Sequence, residues 1–551
     1  MPPSQSLQWI KIEEFGSLWT DGDKLLMPPN AAQRMSGCHP QPQGGLRAFH
    51  RPGFRYDSEG LPQSSTPCLV LAAYDIDGTP FIFTVDVGDD NNPSVVDLLP
   101  GDNCRLWYLD SSGWVEAAAD LAGEDNDGGV PLSSVAGVQA VSAATSATTD
   151  YYVTIPGPDF HFGEGVGTST GGVYLLEPDG TATNMDFDDL TPPGQILIHQ
   201  SRLVVGIKSS IVFSSPGVYD LGTNPGTSDN FINFGAGNVA WVVSVPPSDL
   251  IVGTEDGGIF AVQGDLADPV IRTLATNTGL NHYHQPALSP HGPVVQLPAG
   301  ISLLGSDGAQ QNLSPSIDPR IWEDGGEIIW SGDYLFCPNR HTGDDLLSNG
   351  SLVYDFRTRA WFTAAHPDAA TAPNPITHQF TVRTSPEIVS FPYASIGGIQ
   401  TTIAHSYRPF DIDEGRSHVW EWTSAPLHTP DGREVDLREV QFGALAQPLP
   451  TGPGPATMGS TVTVTATSND GTTSSATVDV APGKGLYTVP LRCRGTYVEV
   501  TIKAKNLDGT DSSGTNSEAP MLEYVAFGWR PGHIRRQKQL GGFSTAYAAG
   551  Y

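Results

Sequence analysis

The residues whose types and spacing could do chemistry are few and scattered. GTSTG at 167–171 has the Gly-x-Ser-x-Gly pattern that presents a nucleophilic serine, here Ser169. That device needs a strand before it and a helix after it to lift the hydroxyl above a sheet. GVYLLEP (172–178) follows and reads as a strand, so Ser169 is expected in a flexible Gly/Ser/Thr turn. GEGVGT (163–168) has part of a phosphate-cradling glycine loop but lacks the third glycine, a following helix and a P-loop lysine. Acidic loops occur at Asp89-Asp90, at Glu124-Asp125-Asn126-Asp127-Gly128 and at Asp344-Asp345. The second has calcium-like oxygen density, but not the alternating register or the Glu at the twelfth position. Asp, Asn and Gly favour solvated turns in any case. His282 and His284 could face one side of a strand, yet no third ligand stands nearby. With 60 acidic residues, a carboxylate pair for glycoside hydrolysis could be assembled at a propeller axis, but sequence does not place it. The expectation is therefore no catalytic residues, no metal and no cofactor.

One constellation points to a partner. Arg530, His533, Arg535, Arg536 and Lys538 form a basic cluster in an otherwise acidic chain. Such a cluster is either an exposed solvated tail or an electrostatic arm for an acidic surface, with Arg530, Arg535, Arg536 and Lys538 as the docking residues. The whole chain has 28 Lys and Arg against 60 Asp and Glu, a net charge of −32. General phosphate binding is thereby excluded, since nucleic-acid affinity rests on Lys and Arg. Many Asp and only seven Lys also fit a saline habitat. The five cysteines, Cys38, Cys68, Cys104, Cys337 and Cys493, are odd in number and widely spaced. They read as small buried apolar residues in a protein folded in a reducing compartment. The N-terminus lacks the basic and apolar regions of a signal peptide, and no run approaches 18 apolar residues.

The elements that must position these residues are strands. The 551 residues include 62 Gly and 46 Pro, too many breakers for long helices. Apolar and β-branched runs such as CLVLAAY (68–74), TPFIFTVDV (79–87), YYVTI (151–155) and QILIHQ (195–200) lie between turn residues. One short helix is expected around Ala31 to Met35, with Asn30 as cap and Gly37 as stop. Three hairpins resemble one another: 202–215, 249–264 and 300–313, with Gly206, Gly253 and Gly305 spaced by 47 and 52 residues. A looser fourth spans 333–362, where Tyr354-Asp355 followed by Trp361 resembles the end of a kelch blade. A period of that size with paired strands is a propeller signature, though two stacked sandwiches are the alternative. Over 151–425 it predicts roughly six blades. After it, STVTVTATSND (460–470) and TYVEVTIKAK (496–505) alternate with period two, the mark of a half-buried antiparallel sheet. The expected architecture is all-β: an N-terminal arm with a short helix (1–60), a β-rich platform (61–150), a β-propeller (151–425), a β-sandwich (426–530) and a basic Gly/Ala tail (531–551).

Three stretches carry a family likeness. They are FGSLWTDGDKLLMPPNAAQRMSGCHPQPQGGLRAFHRPG (15–53), then SRLVVGIKSSIVFSSPGVYD (201–220) with DLIVGTEDGGIFAVQG (249–264). The third is HVWEWTSAPLHTPDGREVDLREVQFGA (418–444), leading into CRGTYVEVTIKAK (493–505) and AFGWRPGHIRR (526–536). Together they resemble the tail nozzle (tail tubular, packaged-DNA stabilisation) proteins of short-tailed bacteriophages. The resemblance implies a structural virion protein, assembled in the host bacterial cytoplasm and located in the virion tail. It would form a ring, expected to be a hexamer, below the portal and its adaptor, and would meet other tail proteins or fibres. Its bore would conduct and retain phage DNA without sequence-specific binding, and its negative wall would repel the phosphates. No plug residue or adaptor contact matches position by position. The alternatives are a propeller-type glycan-binding adhesin or receptor-binding tail protein, and a propeller polysaccharide hydrolase or lyase.

Overall fold

A computed structural model describes residues 6–20, 24–49, 53–56, 68–74, 80–86, 105–110, 113–118, 139–144, 149–155, 172–176, 182–184, 193–219, 230–235, 237–245, 249–276, 286–305, 309–322, 328–331, 333–337, 350–365, 376–382, 387–396, 399–402, 404–407, 419–429, 433–446, 460–506 and 519–531. The chain divides into two compact units. One is 50–414. The other joins the two ends of the sequence, 1–49 and 415–551.

The 50–414 unit is a β-propeller. Among the described residues its strands form seven antiparallel sheets in chain order, at 68–118, 139–184, 193–233, 239–275, 287–312, 329–365 and 376–407. Each sheet packs beside the next, and the first strand of the seventh, Ile376–Val382, lies against the first strand of the first, Cys68–Tyr74, so the ring closes. The last sheet takes its outer strand, Gly53–Tyr56, from far upstream, where it pairs antiparallel with Ala404–Tyr407. Joining the two ends of the ring through one sheet removes the free edge that an open array would leave.

Burial on both sides explains the near-continuous apolar runs. Leu197, Val204, Ile211 and Phe213 of the third sheet pack with Val242, Leu250, Val252 and Val262 of the fourth. The other face of the fourth sheet, with Trp241 and Ile251, meets Val295 and Leu297 of the fifth. Gly253 is required by this packing, because a Cβ there would lie 2.1 Å from Cε2 of Trp241.

The roughly six blades expected are seven sheets among the described residues, and one expectation for this unit is corrected: the segment 61–150 is not a separate platform. It supplies the first sheet and begins the second, so the propeller spans 53–407 rather than 151–425. The repeat was also out of phase. Hairpins 202–215 and 249–264 are second and third strands of their sheets, whereas 300–313 is a third and fourth.

The terminal unit is a two-layer β-sandwich. Sheet I runs Cys38–Pro40, Leu46–Ala48, Met521–Pro531, Val435–Ala446, Gly483–Gly495, with Gln8–Ile12 also paired to Met521–Pro531. Sheet II runs Ala32–Ser36, Val419–Ser424, Tyr497–Asn506, Ser460–Ser468, Thr473–Val480. Between them lie Val462, Val464, Trp420, Trp422, Val500 and Ile502 from sheet II, and Val440, Phe442, Val489, Leu491 and Phe527 from sheet I, all buried. The T-V-T-V run behaves as its period requires. Valines point inward, and outward Thr463 and Thr465 bond across to Thr477 and Ser475 at 2.9 Å each.

The sandwich is thus not confined to 426–530, and the N-terminal residues are not an arm. The helix expected at Ala31 to Met35 is a strand, Ala32–Ser36, opposite Val419–Ser424. Its residues favour helix locally, but tertiary pairing overrides propensity. Ala32 and Met35 are fully buried, Gln33 Nε2 donates to the Ser424 carbonyl at 2.9 Å, and Arg34 pairs with Glu421 at 3.1 Å.

Candidate interaction surfaces

Several sequence candidates lie outside the described residues: Ser169 with its glycine loop, the three acidic loops, His282 and His284, and His533, Arg535, Arg536 and Lys538. Among the described residues there is no group of three or more His, Cys, Asp or Glu placed to hold a metal ion. Cys38, Cys337 and Cys493 are buried free thiols, and burial pushes the Cys38 thiol well up. These three are buried as the sequence predicts, whereas the side chain of Cys68 and the whole of Cys104 lie outside the described residues.

Polar groups in the propeller close turns and join sheets. Thr254 Oγ1 donates to Asp256 Oδ1 at 2.6 Å, and the Gly258 amide donates to Thr254 Oγ1 at 3.2 Å. The Thr254 hydroxyl, followed by backbone amides including those of Gly237 and Gly258, lowers the Asp256 carboxyl below the usual range. His199 Nδ1 lies 2.7 Å from Ser244 Oγ, a hydroxyl beside an imidazole. His199 is buried, and the contact ties the first strands of the third and fourth sheets. Arg202 of the third sheet reaches the Ser214 carbonyl at 3.0 Å and Asp265, beyond the fourth sheet's third strand, at 3.3 Å.

A polar cluster closes a turn of the sixth sheet. Arg357 Nε and Nη2 donate to the two oxygens of fully buried Asp355 at 3.1 and 2.9 Å, and Nη2 also donates to the Tyr334 hydroxyl. Burial, then the Asp355 charge, pushes the Tyr334 phenol up to about 12. The Arg357 guanidinium stacks over the Tyr334 ring at 5.1 Å. The Asp355 carboxylate, the Arg357 guanidinium and the Tyr334 hydroxyl are engaged with one another, so the cluster locks the Tyr354–Trp361 hairpin.

The sandwich places Arg530. It is the penultimate residue of the Met521–Pro531 strand, opposite Asp436, which in turn stands opposite Arg494 on the next strand. Arg494 Nε donates to buried Glu434 at 2.6 Å. The outward face of sheet I thus carries an Arg–Asp–Arg row.

The division of charge is the feature that the linear reading missed. The propeller unit holds 12 Lys and Arg against 44 Asp and Glu, a net of −32. The sandwich unit holds 16 of each, a net of zero. The signal was present in the sequence but is visible only when residues 1–49 are counted with 415–551.

No family model matches the chain, and no curated protein matches it. Among solved structures, one described as "YCF48 bound to D1 peptide" matches at 8% identity, covering 65% of this chain and 96% of that chain, with a TM-score of 0.34. A likeness at that level carries no argument, and the propeller assignment rests on the closed order of seven sheets.

Proposed function

We propose that the chain is a structural protein of a short-tailed phage tail, a nozzle subunit. Copies form an acidic ring or tube that conducts and retains DNA below the portal-adaptor complex. The observation that carries this reading is the charge division, a propeller of net −32 joined to a neutral sandwich. A conduit needs a wall that repels phosphates together with a part on which copies can meet without repulsion. The resemblance adds support. Its first stretch (15–53) and its last (418–444, 493–505, 526–536) lie at opposite ends of the sequence, yet their strands interleave in one sandwich. In this reading the tail residues Arg535, Arg536 and Lys538, led by Arg530, dock on an acidic neighbouring ring. The Arg535→Glu, Arg536→Glu double variant then fails to join the tail while unfolding at the wild-type temperature; normal incorporation would contradict the docking role.

Negative-stain imaging with native mass, alongside a duplex-DNA gel shift at low salt, tests the function. The expected result is an open-bored ring of about six copies and no DNA shift. Tight DNA binding by the isolated chain in that gel would contradict it, as would saccharide affinity or polysaccharide turnover from a chain that never joins a ring.

A further inference from the structure

Two apolar features of the sandwich stand on opposite layers. The first is a shelf on the outward face of sheet I. The Trp9 ring covers Gly528, where an added Cβ would sit 3.0 Å from Trp9 Cζ2, and Tyr524 covers Gly443. Leu486, opposite Gly443, is 66% exposed, Leu445 is 41% exposed and Trp9 is 43% exposed. The charges around the shelf neutralise one another: Lys11 pairs with Glu13 and lies over the Tyr524 ring at 4.2 Å, and Lys484 pairs with Glu523 at 2.6 Å.

The second feature is a knob, the 3-10 turn Lys24–Leu26, with Leu26 78% exposed. It is held on the sheet II side by Lys24 to Glu499 at 3.6 Å and by buried Met27 packed with Ala31 and Ala425. An exposed leucine fixed beside a buried anchor is presented at little further entropic cost. Exposed apolar groups gathered in this way mark interaction sites.

We infer that the occupant of the shelf is the Leu26 knob of a second copy of this chain. Charge selects that occupant. Contact through propellers would press a net −32 against another −32, whereas the sandwich is neutral and its shelf ion pairs are already closed. The placement selects the symmetry. Knob and shelf belong to opposite layers, so the contact is head-to-tail and each copy keeps one free knob and one free shelf, the condition for a closed ring. The inference stands without the tail reading, since any ring-forming role would use the same contact.

Sedimentation of the full chain with two variants tests it. Wild type should assemble beyond a dimer. Leu26→Glu and Leu486→Glu should each weaken assembly by roughly tenfold or more, with circular dichroism and unfolding temperature unchanged; Leu486→Ser serves if the charged variant misfolds. Mixed in equal amounts, the two variants should form a dimer and nothing larger, because only one good knob–shelf pair remains. A wild-type chain that stays monomeric would overturn the inference and leave the tail reading to the incorporation test of the Arg535→Glu, Arg536→Glu variant. Variants that assemble like wild type, or a Leu26→Glu chain unaffected while Leu486→Glu is lost, would overturn the head-to-tail contact.

Discussion

The propeller and the sandwich solve the same problem of covering β-sheets by different means, and their charge follows from the difference. In the propeller each sheet is covered on both faces by its neighbours, so polar residues gather in turns. There Asp and Gly are favoured, and the net charge reaches −32 over 50–414. In the sandwich each sheet has one outward face, built from rows such as Thr461, Thr463, Thr465 and Thr467 beside Lys503, Lys505 and Glu499. Long strands give Lys and Glu places opposite one another, and the unit comes out neutral. One region is shaped to repel polyanions and the other to tolerate contact.

The largest effects that would break this comparison come from the two cores. Trp241→Ala empties a fully buried site in the fourth propeller sheet, and Phe442→Ala does so in sheet I. Each should cost about 3–5 kcal/mol. Calorimetry should show Trp241→Ala lowering one transition and Phe442→Ala the other; a single merged transition in both would mean the units do not unfold separately.

A smaller effect sharpens the charge contrast. Screening lengths shrink from roughly 30 Å at 0.01 M salt to about 3 Å at 1 M. The propeller transition should rise in temperature over that range while the sandwich transition stays nearly flat. Equal response of both transitions would remove the charge division as a physical distinction.

Hairpin tips give smaller effects again. In the sandwich, Asp470 accepts from the Ser468 hydroxyl and from the Thr472 amide at 3.1 Å, which lowers its carboxyl to about 2. A carboxyl depressed in the folded state adds stability that is present above its unfolded pKa and lost as pH falls through the folded one. The contribution of Asp470 is therefore present at neutral pH and disappears as pH drops from the ordinary carboxylate range, near 4, towards about 2. Asp470→Asn should flatten acid unfolding in that window by a small, measurable amount. The least effect is expected from Thr463→Ala, which loses one exposed bond to Thr477 and should cost under about 1 kcal/mol.

What could be read in advance follows how far each residue's partner lies along the chain. The alternation of 460–468 and the apolar runs of the propeller depend on neighbours within one or two hairpins, and their strands were legible. The Ala32–Ser36 strand was not, because its partner, Val419–Ser424, lies nearly 400 residues away. Gly53–Tyr56 was hidden for the same reason. The seventh sheet count was lost because 68–155 carries no glycine in the repeating position, so the period could not be extended upstream. Arg530 was found by its charge; Trp9 and Leu26 were not, since a single exposed apolar residue has no linear signature. The buried cysteines were legible from their spacing.

The most direct test of the account is the salt dependence of self-association, measured by sedimentation of the intact chain from about 0.01 M to 1 M salt. Contact between neutral sandwiches under repulsion between acidic propellers predicts association that tightens as salt rises. Association that weakens with salt would mean that copies are held by opposite charges, and would contradict the assignment of contact to the sandwich.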